Sequence, residues 1–249
     1  MIKAIFVDMD DTLIVNMTLY DHAENMLCGY LRHFGIAIED SRKVKNDLDK
    51  ELYKTFGYSR KRYPETFEKT LRHFVPGADA EMVAIVRAFA ETVFTTVAPV
   101  KPGTLEAIDL LTEHYKVYII TQGDRSVQQD RLSHLSFKDK LSGAFLVEKK
   151  DQETFAGIVK QLGLAPDEVV MMGDSLKSDI VPSVAAGMQA VWIEAHNWSL
   201  EKAELPSDRA YQFSSLLEAA RHIVKYETPA APIVLPAPKN KKNLPPPRP

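Results

Sequence analysis

The chain has 249 residues, of which 45% are hydrophobic and 26% are charged, and its formal net charge is −3. This is the composition of an ordinary globular protein, and it indicates neither nucleic acid nor a membrane as partner. No run approaches the roughly 20 apolar residues of a membrane span, and the N-terminal apolar run is too short for a signal peptide. The single cysteine, Cys28, permits no internal disulfide, so we expect a cytoplasmic protein.

The first predicted element is a buried strand over residues 2–7 that ends in two carboxylates. Asp8 and Asp10 are two residues apart, so their side chains lie on one face if the extended geometry continues. Two unit charges about 4 Å apart repel by roughly 4 kcal/mol at an effective dielectric near 20. A bound Mg²⁺ is the simplest way to relieve that repulsion, and the pair therefore predicts a reactive site.

The apolar period then changes from strand to helix, over residues 18–97. This pattern predicts about four helices, with Asp79 as the N-cap of the last one and a bundle core formed by its apolar stripes. Residues 41–73 contain ten Lys and Arg against five Asp and Glu. We interpret this excess as a solvated helix face rather than a basic lid over a phosphate site. The stripes comprise Leu27, Tyr30, Leu31, Phe34, Met82, Ile85, Val86, Phe89 and Val93.

Strand and helix patterns alternate from residue 104 onward. This alternation predicts an α/β fold with a doubly wound, Rossmann-like parallel sheet and an inserted α-helical domain. We assign residues 1–15 and 98–227 to the sheet core and residues 16–97 to the insertion. Strands are predicted over residues 115–121, 169–172 and 190–193, and helices over residues 104–114, 154–162, 179–186 and 214–225.

A proline-rich basic tail is predicted over residues 228–249. Residues 229–249 contain eight prolines and four basic residues but no acid, so we expect this segment to be disordered or polyproline-like. Pro-rich segments bind aromatic grooves of the SH3 type, so a weak protein partner for the tail is an open alternative.

Polar residues follow the later strands as well. Thr121, Gln122 and Gly123 end the strand over residues 115–121, and Gly173 and Asp174 follow the strand over residues 169–172. The carboxyl ends of parallel strands meet at one edge of a sheet, where ligands bind. The remaining polar candidates are Asp179 and the segment Glu148, Lys149, Lys150, Asp151.

These residues, in this order, resemble the four motifs of the haloacid dehalogenase superfamily, over about the first 225 residues. The resemblance is closest to its phosphatase branch, with phosphoglycolate phosphatase-like or nucleotidase-like enzymes that have a helical type 1 cap. It implies a Rossmann-like core and a cap that closes over a small phosphorylated metabolite. The pattern consists of Asp8-x-Asp10-x-Thr12, Gly173-Asp174-Ser175 and Asp179.

The two N-terminal acids have different expected tasks. As nucleophile, Asp8 attacks phosphorus and forms an aspartyl-phosphate. Asp10 protonates the leaving group and then activates water, which is general acid and base chemistry. The resemblance further implies that Mg²⁺ is held by the side chains of Asp8 and Asp174 and by the backbone carbonyl of Asp10.

The resemblance also implies a phosphate-binding set. The Thr121 hydroxyl and the backbone amides of Gln122 and Gly123 are expected to donate to phosphoryl oxygens. Lys149 is expected to neutralise the nucleophile and the phosphate. The usual family pattern is Lys-Pro-Asp, whereas this chain has two adjacent lysines, Lys149 and Lys150, and we prefer the first. Asp179 is expected to orient a metal-bound water or Lys149.

The leading hypothesis is therefore a Mg²⁺-dependent phosphatase of small phosphomonoesters. A sugar-phosphate mutase of the same fold is an alternative, whereas a dehalogenase is disfavoured because that branch lacks the second acid. A noncatalytic binding or scaffold protein is the alternative from another class. Clustered carboxylates without a cation are destabilising, which disfavours a scaffold. Phosphoglycolate, nucleoside monophosphates and sugar phosphates all remain open as substrates.

Overall fold

A six-stranded parallel sheet forms the centre of the protein. The computed structural model describes residues 1–194, 205 and 209–226. The spatial order of the strands is β3-β2-β1-β4-β5-β6. The chain leaves β1 toward β2 on one side and returns to β4 on the other, so the topological switch lies between β1 and β4. The strands are β1 (Ala4–Val7), β2 (Lys116–Gln122), β3 (Gly143–Val147), β4 (Val169–Gly173), β5 (Gln189–Ile193) and β6 (Ala210–Phe213).

Alternation along β1 divides the sheet core into two layers. Ile5 and Val7 face one layer, together with helices α5 (Thr104–His114) and α9 (Leu216–Tyr226). Ala4 and Phe6 face the other, which contains Phe155 of helix α7 (Gln152–Gln161). Because β1 is buried on both faces, its sequence is a continuous apolar run, as parallel strands require. The remaining helices of the core are α6 (Arg125–Ser133) and α8 (Val181–Ala185).

Four helices between β1 and α5 pack around an apolar core of their own. Leu27, Leu31, Phe67, Val86 and Val93 lie in it and are almost fully buried. Asp79 caps the fourth helix by accepting a hydrogen bond from the Met82 amide at 2.9 Å, as predicted. The division into domains at residues 16 and 97 stays a prediction, which this separate core supports. The helices are α1 (Met17–Arg32), α2 (Ile38–Phe56), α3 (Arg62–Phe74) and α4 (Ala80–Thr95).

Two backbone segments connect this helical block to the sheet. The Val15 amide donates to the Pro99 carbonyl at 2.8 Å, and the Lys101 amide donates to the Leu13 carbonyl at 2.9 Å. The outgoing and returning chains are therefore hydrogen-bonded to each other directly below the end of β1.

The predicted fold class, a doubly wound parallel α/β sheet, is confirmed. The predictions missed β3, β6 and α6, because the two strands have only five and four residues, and α6 has few apolar positions from which to read a period. Among the described residues, no helix combines the length and the apolar character that a membrane crossing needs. The proline-rich tail over residues 228–249 lies outside the described residues.

Candidate active site

The end of β1 is the centre of a buried group of charged side chains. Asp8 is 5% exposed, and its backbone amide donates to the Met172 carbonyl of β4 at 2.9 Å. Its carboxylate accepts a hydrogen bond from the ammonium group of Lys150. Lys150 also donates to Asp179 at 2.6 Å, so one lysine bridges two carboxylates from different parts of the chain.

The lysine that faces the site is Lys150, and the prediction of Lys149 was wrong. The side chain of Lys149 is 73% exposed and pairs with Asp151 at 3.1 Å, whereas that of Lys150 is 4% exposed. Adjacent residues in an extended segment point in opposite directions, so only one of the two can face the site. Gln122 contributes to the choice, because its side-chain oxygen accepts a hydrogen bond from the Lys150 amide at 3.0 Å.

Three carboxylates converge beside Lys150. One ligand oxygen from each of Asp8, Asp174 and Asp179 lies within 4.8 Å of the others. Burial, reinforced by Asp8, Asp179 and Asp11, raises the pKa of Asp174 to about 9. Burial also raises the pKa of Asp179 to about 7, although Lys150 opposes the shift. A single lysine therefore leaves this cluster with an excess of negative charge.

Short contacts set the positions of the two acids that follow β4. The Asp174 amide donates to the Thr12 hydroxyl at 3.1 Å, and the Thr12 hydroxyl lies 3.3 Å from the Asp174 carboxylate. Asp179 packs directly on the backbone of Gly173, where an added Cβ would lie 2.3 Å from its Oδ2. Glycine at residue 173 is thus required for the chain to pass so close to a buried carboxylate.

The strand end at β2 places the predicted phosphate-binding residues next to this cluster. Thr121 is 1% exposed, and among the residues that the structure describes none forms a hydrogen bond with its hydroxyl oxygen. A buried hydroxyl without a partner is destabilising unless a ligand satisfies it. Gly123 has a φ of +156°, and an added Cβ would lie 2.5 Å from the side-chain nitrogen, Nε2, of Gln128. Its lack of a side chain is what allows Gln128 to approach.

Asp10 lies in a different environment from Asp8. Nη1 of Arg131 donates to both carboxylate oxygens, at 2.8 and 2.9 Å. Nε2 of Gln128 donates to Oδ2 of Asp10 at 2.8 Å. Burial raises the pKa of Asp10, with Arg131 acting in the opposite direction. The carboxylate of Asp10 is thus engaged by α6, which is consistent with the prediction that only its backbone carbonyl contacts a metal.

Asp11 connects the site to the helical block. It has a φ of +60°, a region in which Asp is tolerated because its short side chain bonds locally. Its carboxylate accepts hydrogen bonds from the amides of Asn16 and Met17, both at 2.8 Å, at the start of α1. Its backbone carbonyl accepts from the ammonium group of Lys101 at 2.6 Å. The turn after β1 therefore also anchors the first helix of the block.

Sequence reasoning missed Arg131, Gln128 and Asp11. Gln128 and Arg131 are three residues apart, so they lie on one side of a helix that begins directly after the Gly123 turn. That spacing was a usable signal, but α6 itself was not predicted. Asp11 is adjacent to the recognised pair, and its role depends on a backbone conformation that the sequence does not show.

The chemistry of the carboxylate cluster fits a magnesium ion. Mg²⁺ prefers oxygen ligands and binds through a few carboxylates while keeping several waters. Asp8, Asp174 and Asp179 supply such oxygens, and burial together with the neighbouring carboxylates raises the pKa of Asp174. A divalent cation would neutralise these carboxylates.

A family model of haloacid dehalogenase-like hydrolases matches residues 2–187. The chain belongs to this family. The predicted family and enzyme class, a phosphoric monoester hydrolase, are confirmed. The match covers β1, the helical block, β2, α6 and β4, and hence all the site residues described above.

Several relatives are named for small phosphate esters. A glyceraldehyde 3-phosphate phosphatase of Pyrococcus furiosus is 30% identical over 200 residues, which cover 78% of this chain and 81% of that protein. A pyrimidine 5′-nucleotidase of Streptococcus pneumoniae is 24% identical over 229 residues, which cover 87% of this chain and 94% of that protein.

Solved structures of the family share the fold. A haloacid dehalogenase-like hydrolase from Xanthomonas campestris has a TM-score of 0.75 at 21% identity, covering 90% of this chain and 95% of that one. A hydrolase of this type from Bacillus subtilis, bound to magnesium, has a TM-score of 0.65 at 19% identity, covering 89% of this chain and 98% of that one.

Proposed function

We propose that this hydrolase is a Mg²⁺-dependent phosphatase of small phosphomonoesters that works through a phosphorylated Asp8. The observation that carries the proposal is the bridge from Lys150 to Asp8 and Asp179, beside Asp174. A nucleophilic carboxylate must approach a phosphate that is itself negatively charged. Lys150 reduces the repulsion between the two, and the unpartnered Thr121 hydroxyl is available to donate to a phosphoryl oxygen.

In the first chemical step, an oxygen of Asp8 forms a bond to phosphorus while the bond to the leaving oxygen breaks. Asp10, in its protonated form, transfers its proton to that leaving oxygen. In the second step, the Asp10 carboxylate takes a proton from a water molecule as the water attacks phosphorus. The Asp8–phosphorus bond then breaks, which regenerates the Asp8 carboxylate and releases inorganic phosphate.

The side chains of Asp8 and Asp174 and the Asp10 carbonyl would hold Mg²⁺, with Asp179 beside them. When bound, Mg²⁺ supplies Lewis-acid stabilisation of the phosphoryl oxygens and neutralises the clustered carboxylates. Asp179 has a second task that depends only on the chain, because it orients Lys150 by accepting its hydrogen bond at 2.6 Å.

Two observations support this substrate class: the names of the relatives and the position of the helical block. The relatives are named for glyceraldehyde 3-phosphate, pyrimidine nucleotides and N-acylneuraminate 9-phosphate, all of them small phosphate esters. The backbone amide of Arg60, between α2 and α3, donates to the Asp124 carboxylate of the core at 2.9 Å. The helical block therefore contacts the core beside Gly123, a position that favours a small substrate over a protein phosphosite.

A phosphate-release assay with purified protein tests the proposal. We expect 4-nitrophenyl phosphate to be hydrolysed with Mg²⁺, and chelation to abolish the activity reversibly. Asp8→Ala should be inactive because no phosphoenzyme can form. Asp10→Asn should lose roughly 100-fold or more, the usual scale for a missing general acid or base. Metal-independent turnover, or full activity of Asp8→Ala, would contradict the assignment. A panel of phosphorylated metabolites would then identify the substrate.

A further inference from the structure

We propose that Arg131, together with Gln128, is the positioning residue that holds the Asp10 carboxylate for proton transfer to the leaving group. The inference rests on the proposed function of Asp10 as general acid. It assigns a task to two residues of α6 that lie outside the predicted catalytic, phosphate-binding and metal-binding sets.

Asp10 needs such support because of where it lies. It lies beyond the end of β1, in a turn where its backbone forms an isolated bridge with Ile14, and its side chain remains 22% exposed. A general acid acts only from within hydrogen-bond reach of the leaving oxygen, and a misplacement of about 1 Å can reduce the rate by roughly 100-fold. A mobile carboxylate at this position would therefore be a poor proton donor.

The contacts from α6 restrict both oxygens of Asp10. Nη1 of Arg131 lies 2.8 Å from Oδ1 and 2.9 Å from Oδ2, and Nε2 of Gln128 lies 2.8 Å from Oδ2. With donors on both oxygens, rotation of the carboxylate about its terminal torsion breaks at least one hydrogen bond. The side chain of Arg131 is 9% exposed, so this pairing takes place largely out of solvent.

The two donors are themselves held in place. Nε2 of Gln128 donates a second hydrogen bond to the Gln122 carbonyl at 3.1 Å, next to the glycine that permits its approach. Asp124 caps α6 by accepting a hydrogen bond from the Ser126 amide at 3.1 Å. Arg131 is thus presented by a helix whose start is fixed at the phosphate-binding turn.

The helical block contributes one further contact. The hydroxyl of Tyr20, on α1, interacts with the guanidinium group of Arg131. The Tyr20 ring packs against Tyr63 with ring centroids 5.0 Å apart, and the Tyr63 hydroxyl donates to the Tyr20 carbonyl at 3.3 Å. Arg131 therefore lies between the inserted helices and the acid, and its contacts reach both parts of the molecule.

A purely structural role would have a different consequence from a positioning role. If Arg131 only attached α6 to the core, its loss would reduce activity to the same extent on every substrate. If it positions the general acid, the loss grows with the basicity of the leaving oxygen, because an activated leaving group departs without a proton. The dependence of kcat/KM on leaving-group pKa separates these two cases.

The experiment compares Arg131→Gln with wild type on a series of aryl phosphates, from 4-nitrophenyl phosphate to phenyl phosphate, and on glycerol 3-phosphate. We expect a loss of less than about threefold for the nitrophenyl ester, rising to roughly 10- to 100-fold for the unactivated esters. Asp10→Asn should show the same trend with a larger amplitude. Arg131→Lys, which keeps the positive charge on a single nitrogen, should recover part of the lost activity on phenyl phosphate.

Matched controls are available on the same helix. Arg125→Gln and Gln129→Ala change exposed residues of α6 and should leave the leaving-group dependence as in wild type, whereas Gln128→Ala should steepen it. An equal loss on all esters, or no loss, in Arg131→Gln would overturn the inference even where Asp8→Ala is inactive. A wild-type protein that hydrolyses no phosphate ester would overturn the proposed function, and the inference with it.

Discussion

The carboxyl edge of the sheet and the helical block differ in how their charged side chains are paired. At the sheet edge, Asp8, Asp174 and Asp179 share one lysine, and the pKa of Asp174 rises to about 9. In the helical block, charges are paired across helices. Lys45 bonds to Glu24, Arg62 lies 3.0 Å from Asp49, and Arg60 lies 2.7 Å from Glu91.

This contrast separates a site that needs a ligand from a surface that needs none. Uncompensated like charges lower the stability of the folded state, and their presence in a buried cluster indicates that something else binds there. Within residues 41–73, Arg42 and Lys45 pair with Glu24 of α1, and Arg60 pairs with Glu91 of α4. The interpretation of the basic excess as a solvated helix face stays a prediction. The predictions below test this difference, from the largest expected effect to the smallest.

The largest contrast should come from the two adjacent lysines. Lys150→Ala removes the cation that bridges Asp8 and Asp179, and we expect kcat/KM to fall by roughly 100- to 1,000-fold, as for other preorganised electrostatic groups. Lys149→Ala, the matched control, should stay within about twofold because that side chain is exposed and pairs with Asp151 rather than with Asp8 or Asp179. Steady-state kinetics at saturating Mg²⁺ measure both. Equal losses in the two variants would contradict the assignment of Lys150.

Asp174→Asn should remove most of the stabilisation of the folded protein by Mg²⁺. We expect Mg²⁺ at about 100 times its Kd to stabilise the wild type by roughly 2.7 kcal/mol and to have little effect on the variant. Thermal unfolding with Mg²⁺ and with a chelator measures the difference.

The same variant should change the pH dependence of the metal-free protein. The folded-state pKa of Asp174 is raised, so its favourable protonation is complete below its unfolded value of about 3.8 and is lost as the pH rises toward 9. Without metal, the stability of the wild type should therefore fall from about pH 5 to about pH 8 more steeply than that of Asp174→Asn. A wild type whose melting temperature does not respond to Mg²⁺ would contradict the metal site.

Breaking a charge pair in the helical block should reduce stability to the same extent with and without Mg²⁺. Glu24 accepts from Lys45 and lies 2.9 Å from Arg42, so Glu24→Gln should destabilise the protein by about 1.5–3 kcal/mol, with or without Mg²⁺. Asp47→Asn is the control, because the Asp47–Lys50 pair is exposed and 3.9 Å apart. It should change stability by less than about 0.5 kcal/mol in urea unfolding. A Mg²⁺-dependent effect of Glu24→Gln would show that this pair belongs to the site.

The smallest effects are expected at the basic loop. Arg60→Gln removes a partly exposed pair with Glu91 and should reduce stability by about 0.2–1 kcal/mol without raising KM. Lys61→Gln, at an exposed neighbouring residue, should leave both quantities unchanged. A KM that rises several-fold in either variant would identify this loop as a substrate-attracting surface instead.

The sequence by itself determined the sheet, the helical insertion and the acids of the site. Apolar runs that end in Asp, Thr or Gly mark strand ends in a parallel sheet, and the topology brings those ends together whatever the details of packing. The sequence was therefore sufficient to predict the site residues Asp8, Asp10, Thr121, Asp174 and Asp179. The apolar period of the helical block predicted its four helices.

Only the tertiary structure decided which lysine faces Asp8 and what holds Asp10. Lys149 and Lys150 have the same side chain, and the choice between them depends on the direction of one extended segment that Gln122 anchors. Arg131 reaches Asp10 from 121 residues away in the chain, along a helix too polar to be predicted by its period. Contacts between residues so distant in sequence depend on how the elements pack, which local patterns do not contain.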